Sequence, residues 1–156
     1  MNITRRSVLK RMGVGSTLAA LFAAGLLRPI QAIAAEWNKA AFESKTNADA
    51  LKSIGASAAA DSKDLVLITP AIAENGAVVP VSVVSNIPNT TSISFLVEKN
   101  PMPLACTFEF MNGGVPEIAV RLKFAGTSAV SAIAIADGKA YKATRDIKVT
   151  KGGCGG

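Results

Sequence analysis

From Leu65 onward apolar and polar residues alternate with a period of two, the apolar runs are short and evenly spaced, and turn-forming residues stand between them. These three observations predict an all-β chain: an immunoglobulin-like antiparallel β-sandwich with a short N-terminal helical segment and a flexible C-terminal arm. The 156 residues suit one such domain, and neither an internal repeat nor a second domain is visible.

Residues 1–34 read as an export signal. They hold Arg5, Arg6, Lys10, Arg11 and Arg28 and no acid. Met12–Leu27 is small and apolar, but its 16 residues fall short of the about 20 a spanning helix needs, and a basic flank precedes it. Ala32-Ile33-Ala34 is a small-x-small cleavage site, which starts the mature chain at Ala35. Thr4-Arg5-Arg6-Ser7-Val8-Leu9-Lys10 resembles the twin-arginine signal, with Val8 where Phe is commoner, and the weak hydrophobicity and Arg28 agree with that route. The alternative is an ordinary secretory signal. The twin-arginine route implies folding before export, a periplasmic location, and no membrane attachment once the signal is cut.

Trp37, Ala41, Phe42, Leu51 and Ile54 fall near one helical stripe, so residues 36–54 read as two short helices, with Asn47 capping the second and Gly55 ending it. Ala56–Asp64 is a link of small and polar residues. Candidate strands follow at Leu65–Thr69, Ala77–Val84, Ser92–Glu98, Leu104–Phe110, Glu117–Phe124, Ser128–Ala136 and Lys139–Thr150. Glu74-Asn75-Gly76, Pro88-Asn89, Asn100-Pro101, Asn112-Gly113-Gly114, Gly126 and Asp137-Gly138 separate them; Asp137-Gly138 suits a two-residue hairpin, where both positions need φ > 0. Alternation places Ile93, Phe95 and Val97 on one inward face, and Ile118, Val120, Leu122 and Phe124 on another, with Arg121 and Lys123 pointing to solvent.

Composition removes several function classes. Without any His, Ser-His-Asp and Cys-His nucleophilic sites and every His-ligated metal are excluded, and two Cys cannot alone hold a structural zinc or iron–sulfur cluster. The formal charge of +6, the pI near 9.6 and the mean hydropathy of +0.34 suggest a nucleic-acid or membrane protein at first sight. Five of the 17 bases and none of the 11 acids lie in residues 1–34, however, which leaves 12 bases against 11 acids, or +1, in residues 35–156. With one Trp and one Tyr besides, nucleic-acid binding has little support.

The two cysteines differ. Leu104, Cys106, Phe108 and Phe110 share one strand face, so Cys106 reads as a buried, inert thiol. Cys154 lies in Lys151-Gly152-Gly153-Cys154-Gly155-Gly156, the last six residues. Those glycines clear side chains from around the sulfur and stop the strand before them. With order ending at Thr150, Cys154 swings out by about 13 Å, four residues at ~3.3 Å each. A disordered tail, a bridge to Cys106 and an intermolecular disulfide are the competing readings. No acid–base pair or CxxC partner accompanies Cys154, so it reads as a carrier thiol that other proteins serve. A structural or chaperone-like sandwich dimerised through Cys154, and an autonomous thiol enzyme, are the alternatives.

The terminus Gly152-Gly153-Cys154-Gly155-Gly156, behind a twin-arginine signal and a small sandwich, resembles the SoxY family, the sulfur carriers of the periplasmic thiosulfate-oxidising (Sox) system. Ala73-Glu74-Asn75-Gly76-Ala77-Val78-Val79-Pro80-Val81, Val97-Glu98-Lys99-Asn100-Pro101-Met102-Pro103-Leu104 and Asp137-Gly138-Lys139-Ala140-Tyr141 are also similar to it. Cys106 departs from the family's single terminal cysteine. The resemblance implies a non-enzyme without a cofactor, bearing thiosulfonate and sulfane adducts on Cys154, with Gly152, Gly153, Gly155 and Gly156 as its arm. It further implies a heterodimer with SoxZ, a leaderless immunoglobulin-like protein. Transient partners would be the haem enzyme SoxAX, which joins thiosulfate to the thiol, the dimanganese hydrolase SoxB, which releases sulfate, and a molybdenum–haem sulfane dehydrogenase.

Overall fold

The computed structural model describes residues 37–111 and 113–151. The signal assigned to residues 1–34, and Cys154 with its neighbours Gly152, Gly153, Gly155 and Gly156, lie outside them.

Two short helices open the described chain: α1, Lys39–Glu43, and α2, Asn47–Ser53. Asn38 caps α1 by accepting the Ala41 N–H on its side chain, and its Nδ2 donates to the Ser53 carbonyl at 2.8 Å, tying the start of α1 to the end of α2. The cap of α2 is Thr46, not the expected Asn47. Thr46 has extended backbone and its hydroxyl accepts the Asp49 N–H at 3.1 Å, whereas Asn47 is already helical. Gly55, at φ +71°, ends the helix in the left-handed conformation that glycine takes without strain.

Nine strands follow: β1 Ala60–Asp61, β2 Leu65–Ile68, β3 Ile72–Ala73, β4 Val79–Ser85, β5 Thr90–Val97, β6 Leu104–Glu109, β7 Glu117–Leu122, β8 Ser128–Ala136 and β9 Lys139–Val149. All seven expected strands are present within two residues of their expected bounds. The additions are β1, inside the expected link, and β3; at two residues each they are too short for a periodic signal. β2, β4 and β7 form a three-stranded antiparallel sheet, and β9, β8, β5 and β6 form the larger one. β1 and β3 each join the far side of β9 in parallel, at Tyr141–Lys142 and Lys148–Val149. Counting only the seven longer strands, the first, second and fifth make one sheet and the third, fourth, sixth and seventh the other. This is an immunoglobulin-like all-β sandwich whose fourth long strand, β6, lies in the larger sheet.

The main core lies between the sheets. Val79, Val81, Val83, Ile118, Leu122 and Phe124 face Ile93, Phe95, Val97, Val130, Ala132, Ala134 and Ile147, as the alternation requires. Phe95 meets Phe108 edge to face, with ring centroids 6.5 Å apart. A second cluster lies on the outer face of the larger sheet: Ala41, Ala50 and Ala56 of the helical segment cover Leu96, Leu104 and Ile133. The larger sheet is therefore buried on both sides, which is why residues 93–97 are buried without interruption. Trp37 departs from the expected buried stripe. It stacks on Phe42 at 4.3 Å, yet is 68% exposed.

Turn chemistry carries the connections. Asp137 (φ 49°) and Gly138 (φ 71°) form the two-residue hairpin between β8 and β9, with Ala136 opposite Lys139. Asn89, also at positive φ, donates from Nδ2 to Asp137 Oδ1 at 3.1 Å and joins two turns at that end of the sandwich. At the opposite end Asn100 donates from Nδ2 to the Lys123 carbonyl at 2.7 Å and accepts the Ala125 N–H at 2.9 Å.

Candidate functional site

The end of β9 carries the chain to the glycine–cysteine terminus, and its surroundings hold it on both edges. On one side Thr127 Oγ1 accepts the Val149 N–H at 3.0 Å and donates to the Val149 carbonyl at 3.3 Å. On the other, Lys148 and Thr150 donate their backbone N–H groups to the carbonyls of Ala71 and Ala73, each at 3.0 Å, and Thr150 Oγ1 donates to the Glu74 carbonyl at 3.1 Å. The turn Glu74-Asn75-Gly76 then closes over the strand end. Asn75 Oδ1 accepts the Ala77 N–H at 2.9 Å and shapes the turn, and Gly76 donates its N–H to the Lys151 carbonyl at 2.8 Å. Gly76 in turn accepts from the Phe124 N–H at 2.7 Å, which links this point to the end of the smaller sheet.

Among the described residues the last tie is therefore at Lys151, one residue beyond Thr150. Cys154 stands three residues further on, at most about 10 Å from Lys151. Residue types in Glu74-Asn75-Gly76 mark a turn but give no sign of its contact with Lys151. That contact is made by backbone groups, which leave no residue-type signature.

Cys106 lies in β6, the strand at one edge of the larger sheet. Its thiol packs against the main core but is half-buried rather than fully enclosed. Burial pushes its pKa up to about 11. At neutral pH about one thiol in 10,000 is then ionised, so Cys106 is a poor nucleophile. Leu104 does not share its face, contrary to expectation. The pairing of β5 with β6 slips at Ala105, so that Phe95 faces Cys106 while Leu96 faces Leu104. This β-bulge turns Leu104 outward, under the helical segment.

A bridge between the two cysteines does not fit this frame. Cys106 lies across from Phe95, Ala132 and Ala143, three strand spacings from β9. Ala143 is eight residues from Lys151, so Cys106 and Lys151 are about 30 Å apart. The about 10 Å from Lys151 to Cys154 leaves a gap far beyond the ~7 Å limit between Cα atoms of a disulfide. Among the described residues no cluster of three or more His, Cys, Asp or Glu side chains could hold a metal ion, and no helix is long and apolar enough to cross a membrane.

A model of the family "SoxY: Sulfur oxidation protein SoxY" matches residues 50–154. This chain belongs to the SoxY family. The match begins within α2 and ends at Cys154, so it takes in the whole sandwich and the tied strand end. A solved structure titled as the sulfur carrier protein SoxY from Chlorobium limicola f thiosulfatophilum is similar throughout its length. It is 34% identical, covers 72% of this chain and 99% of its own, and superposes with a TM-score of 0.62. A comparison with curated proteins finds no match. Membership of the SoxY family places the chain in sulfur oxidation.

Proposed function

We propose that this protein is a covalent sulfur carrier and that Cys154 bears the cargo. The observation that carries this reading is the position of Cys154, three residues beyond the tied Lys151 and at the end of the SoxY match. The half-buried Cys106, with its pKa near 11, is the weaker candidate. A thiol set among glycines without an acid–base partner has no catalysis of its own, so the chemistry comes from enzymes that receive it.

In this reading the Cys154 thiol and thiosulfate lose one proton and two electrons to a haem oxidant, SoxAX, and form the S–S bond of Cys–S–S–SO3−. Water, delivered by the hydrolase SoxB, cleaves the bond to the terminal sulfonate sulfur; sulfate and two protons leave, and Cys–S–S− remains. A sulfane dehydrogenase oxidises that remaining sulfur. The glycines on both sides of Cys154 let the adduct enter a narrow channel, since no neighbouring side chain widens the chain there. A SoxZ-type sandwich completes the heterodimer, and the twin-arginine signal takes the folded pair to the periplasm.

Intact-mass measurement of the protein recovered from cells grown on thiosulfate tests the proposal. Adducts on Cys154 of about +112 for thiosulfonate, or about +32 steps for sulfane sulfur, are expected. Free thiol or disulfide-linked dimer alone, with thiosulfate and the partner enzymes supplied, would overturn it in favour of a structural sandwich.

A further inference from the structure

A strand that runs into a glycine-rich segment normally frays over its last residues, because glycine does little to continue a strand. The end of β9 departs from this. Hydrogen bonds follow it without a break from Lys148 to Lys151, and they come from three separate places: the Ala71–Ala73 backbone, the Glu74–Gly76 turn and Thr127. Gly76 is the junction. It is buried, holds the last carbonyl of the described chain, and is itself held by Phe124.

We infer that the Glu74–Gly76 turn is a clamp that sets the origin of the terminal segment at Lys151, with Thr150 as its positioning residue. The inference rests on Cys154 being the carrier thiol for its meaning, though not for its test. Were β9 to release after Ile147, Cys154 would stand seven residues beyond the last tie, an extended span of about 23 Å. The clamp holds that span to about 10 Å. A shorter tether confines the thiol to a smaller volume, which raises its effective concentration at any surface docked beside the strand end. The clamp thus exchanges reach for local concentration, and it does so through backbone groups and one hydroxyl.

Amide exchange and a spin label test it together. In the unaltered chain the Gly76 amide should exchange at least ~100-fold more slowly than an exposed loop amide. Nitroxides are placed on Cys154 and on Asp137→Cys, at the far end of the sandwich, in a Cys106→Ala background. Their distance distribution should broaden when Thr150→Val and Asn75→Ala are combined, and Thr150→Ser alone should keep the narrow distribution. The thermal midpoint of the double variant should stay within a few degrees of the parent.

Fast exchange at Gly76 in the unaltered chain overturns the clamp, and so does an unchanged distribution in the folded double variant. Should that variant fail to fold, exchange in the unaltered chain still decides. Neither readout depends on what Cys154 carries. A protected Gly76 in a chain that never loads sulfur leaves the clamp standing and removes the carrier reading; an unprotected Gly76 in a chain that does load sulfur has the opposite meaning.

Discussion

Leu104 and Cys106 stand two residues apart in one strand and face opposite sides of the sheet. Ala105 between them is the extra residue of a bulge, and it lets β6 serve two cores. Phe108 and Cys106 reach the space between the sheets, while Leu104 reaches the space beneath the helices.

Removing Ala105 should therefore leave Leu104 in place. With Leu104 then next to Cys106, regular alternation keeps the two on opposite faces, and Leu104, now 4% exposed, stays against Ala41 and Ala50. Leu104→Ala, which empties that space, should cost at least ~2 kcal/mol in urea unfolding, and deleting Ala105 should cost clearly less. A deletion as costly as Leu104→Ala would show that Leu104 needs the bulge to reach the helices.

Cys106 should be both dispensable and slow to react. Cys106→Ala should retain sulfur loading and cost on the order of 1 kcal/mol, a small truncation at a half-buried position. Its alkylation should accelerate with pH up to about 11. The folded state holds the proton more tightly than the unfolded chain, whose thiol has the ordinary value of 9.0. Stability should therefore be intact below pH 9 and fall as pH rises toward 11. Stability that is flat over that range in the native chain, or that falls equally in Cys106→Ala, would remove Cys106 as the cause.

Cys154→Ser should abolish sulfur loading while leaving the thermal midpoint within about a degree, because the last described tie precedes it by three residues. Gly153→Val and Gly155→Val should keep the fold and slow the partner enzymes by crowding the sulfur. Unchanged turnover in both would remove the steric role of the glycines.

Asn100→Ala should cost about 2 kcal/mol. It takes away a donor to the Lys123 carbonyl and an acceptor for the Ala125 N–H, and with them the brace between two loops at the β9 end of the sandwich. Calorimetry would read the loss as a lowered midpoint; a midpoint that does not move would mean water replaces both bonds.

The long strands were legible because burial enforces their period. Ser128–Ala136 was bounded to the residue, and Asp137-Gly138 identified its hairpin, because few other dipeptides accept two positive φ values. The misses have physical causes too. Thr46 and Asn47 are both good caps in sequence, and only the backbone angles separate them. Leu104-Ala105-Cys106 alternates as a regular strand does, so the bulge leaves no trace in residue type. Trp37 is apolar enough to read as core, yet among the described residues it stacks on Phe42 and stays 68% exposed. At the terminus, Cys154 stands out by composition, whereas the hold on Lys151 comes from Gly76 N–H, a group every residue but proline possesses.

β9 pairs with β8, β1 and β3, and so connects a late-made strand to segments synthesised some eighty residues earlier. The helices likewise wait for Leu104 and Ile133 before they have anything to rest on. Folding of this kind, dominated by distant pairings, finishes only once β9 is released from synthesis. A chain cut short before β9 loses the stitching of its first elements along with the cysteine. Only molecules translated through β9 can close, so acquiring the native shape certifies that the strand leading to Cys154 has been made.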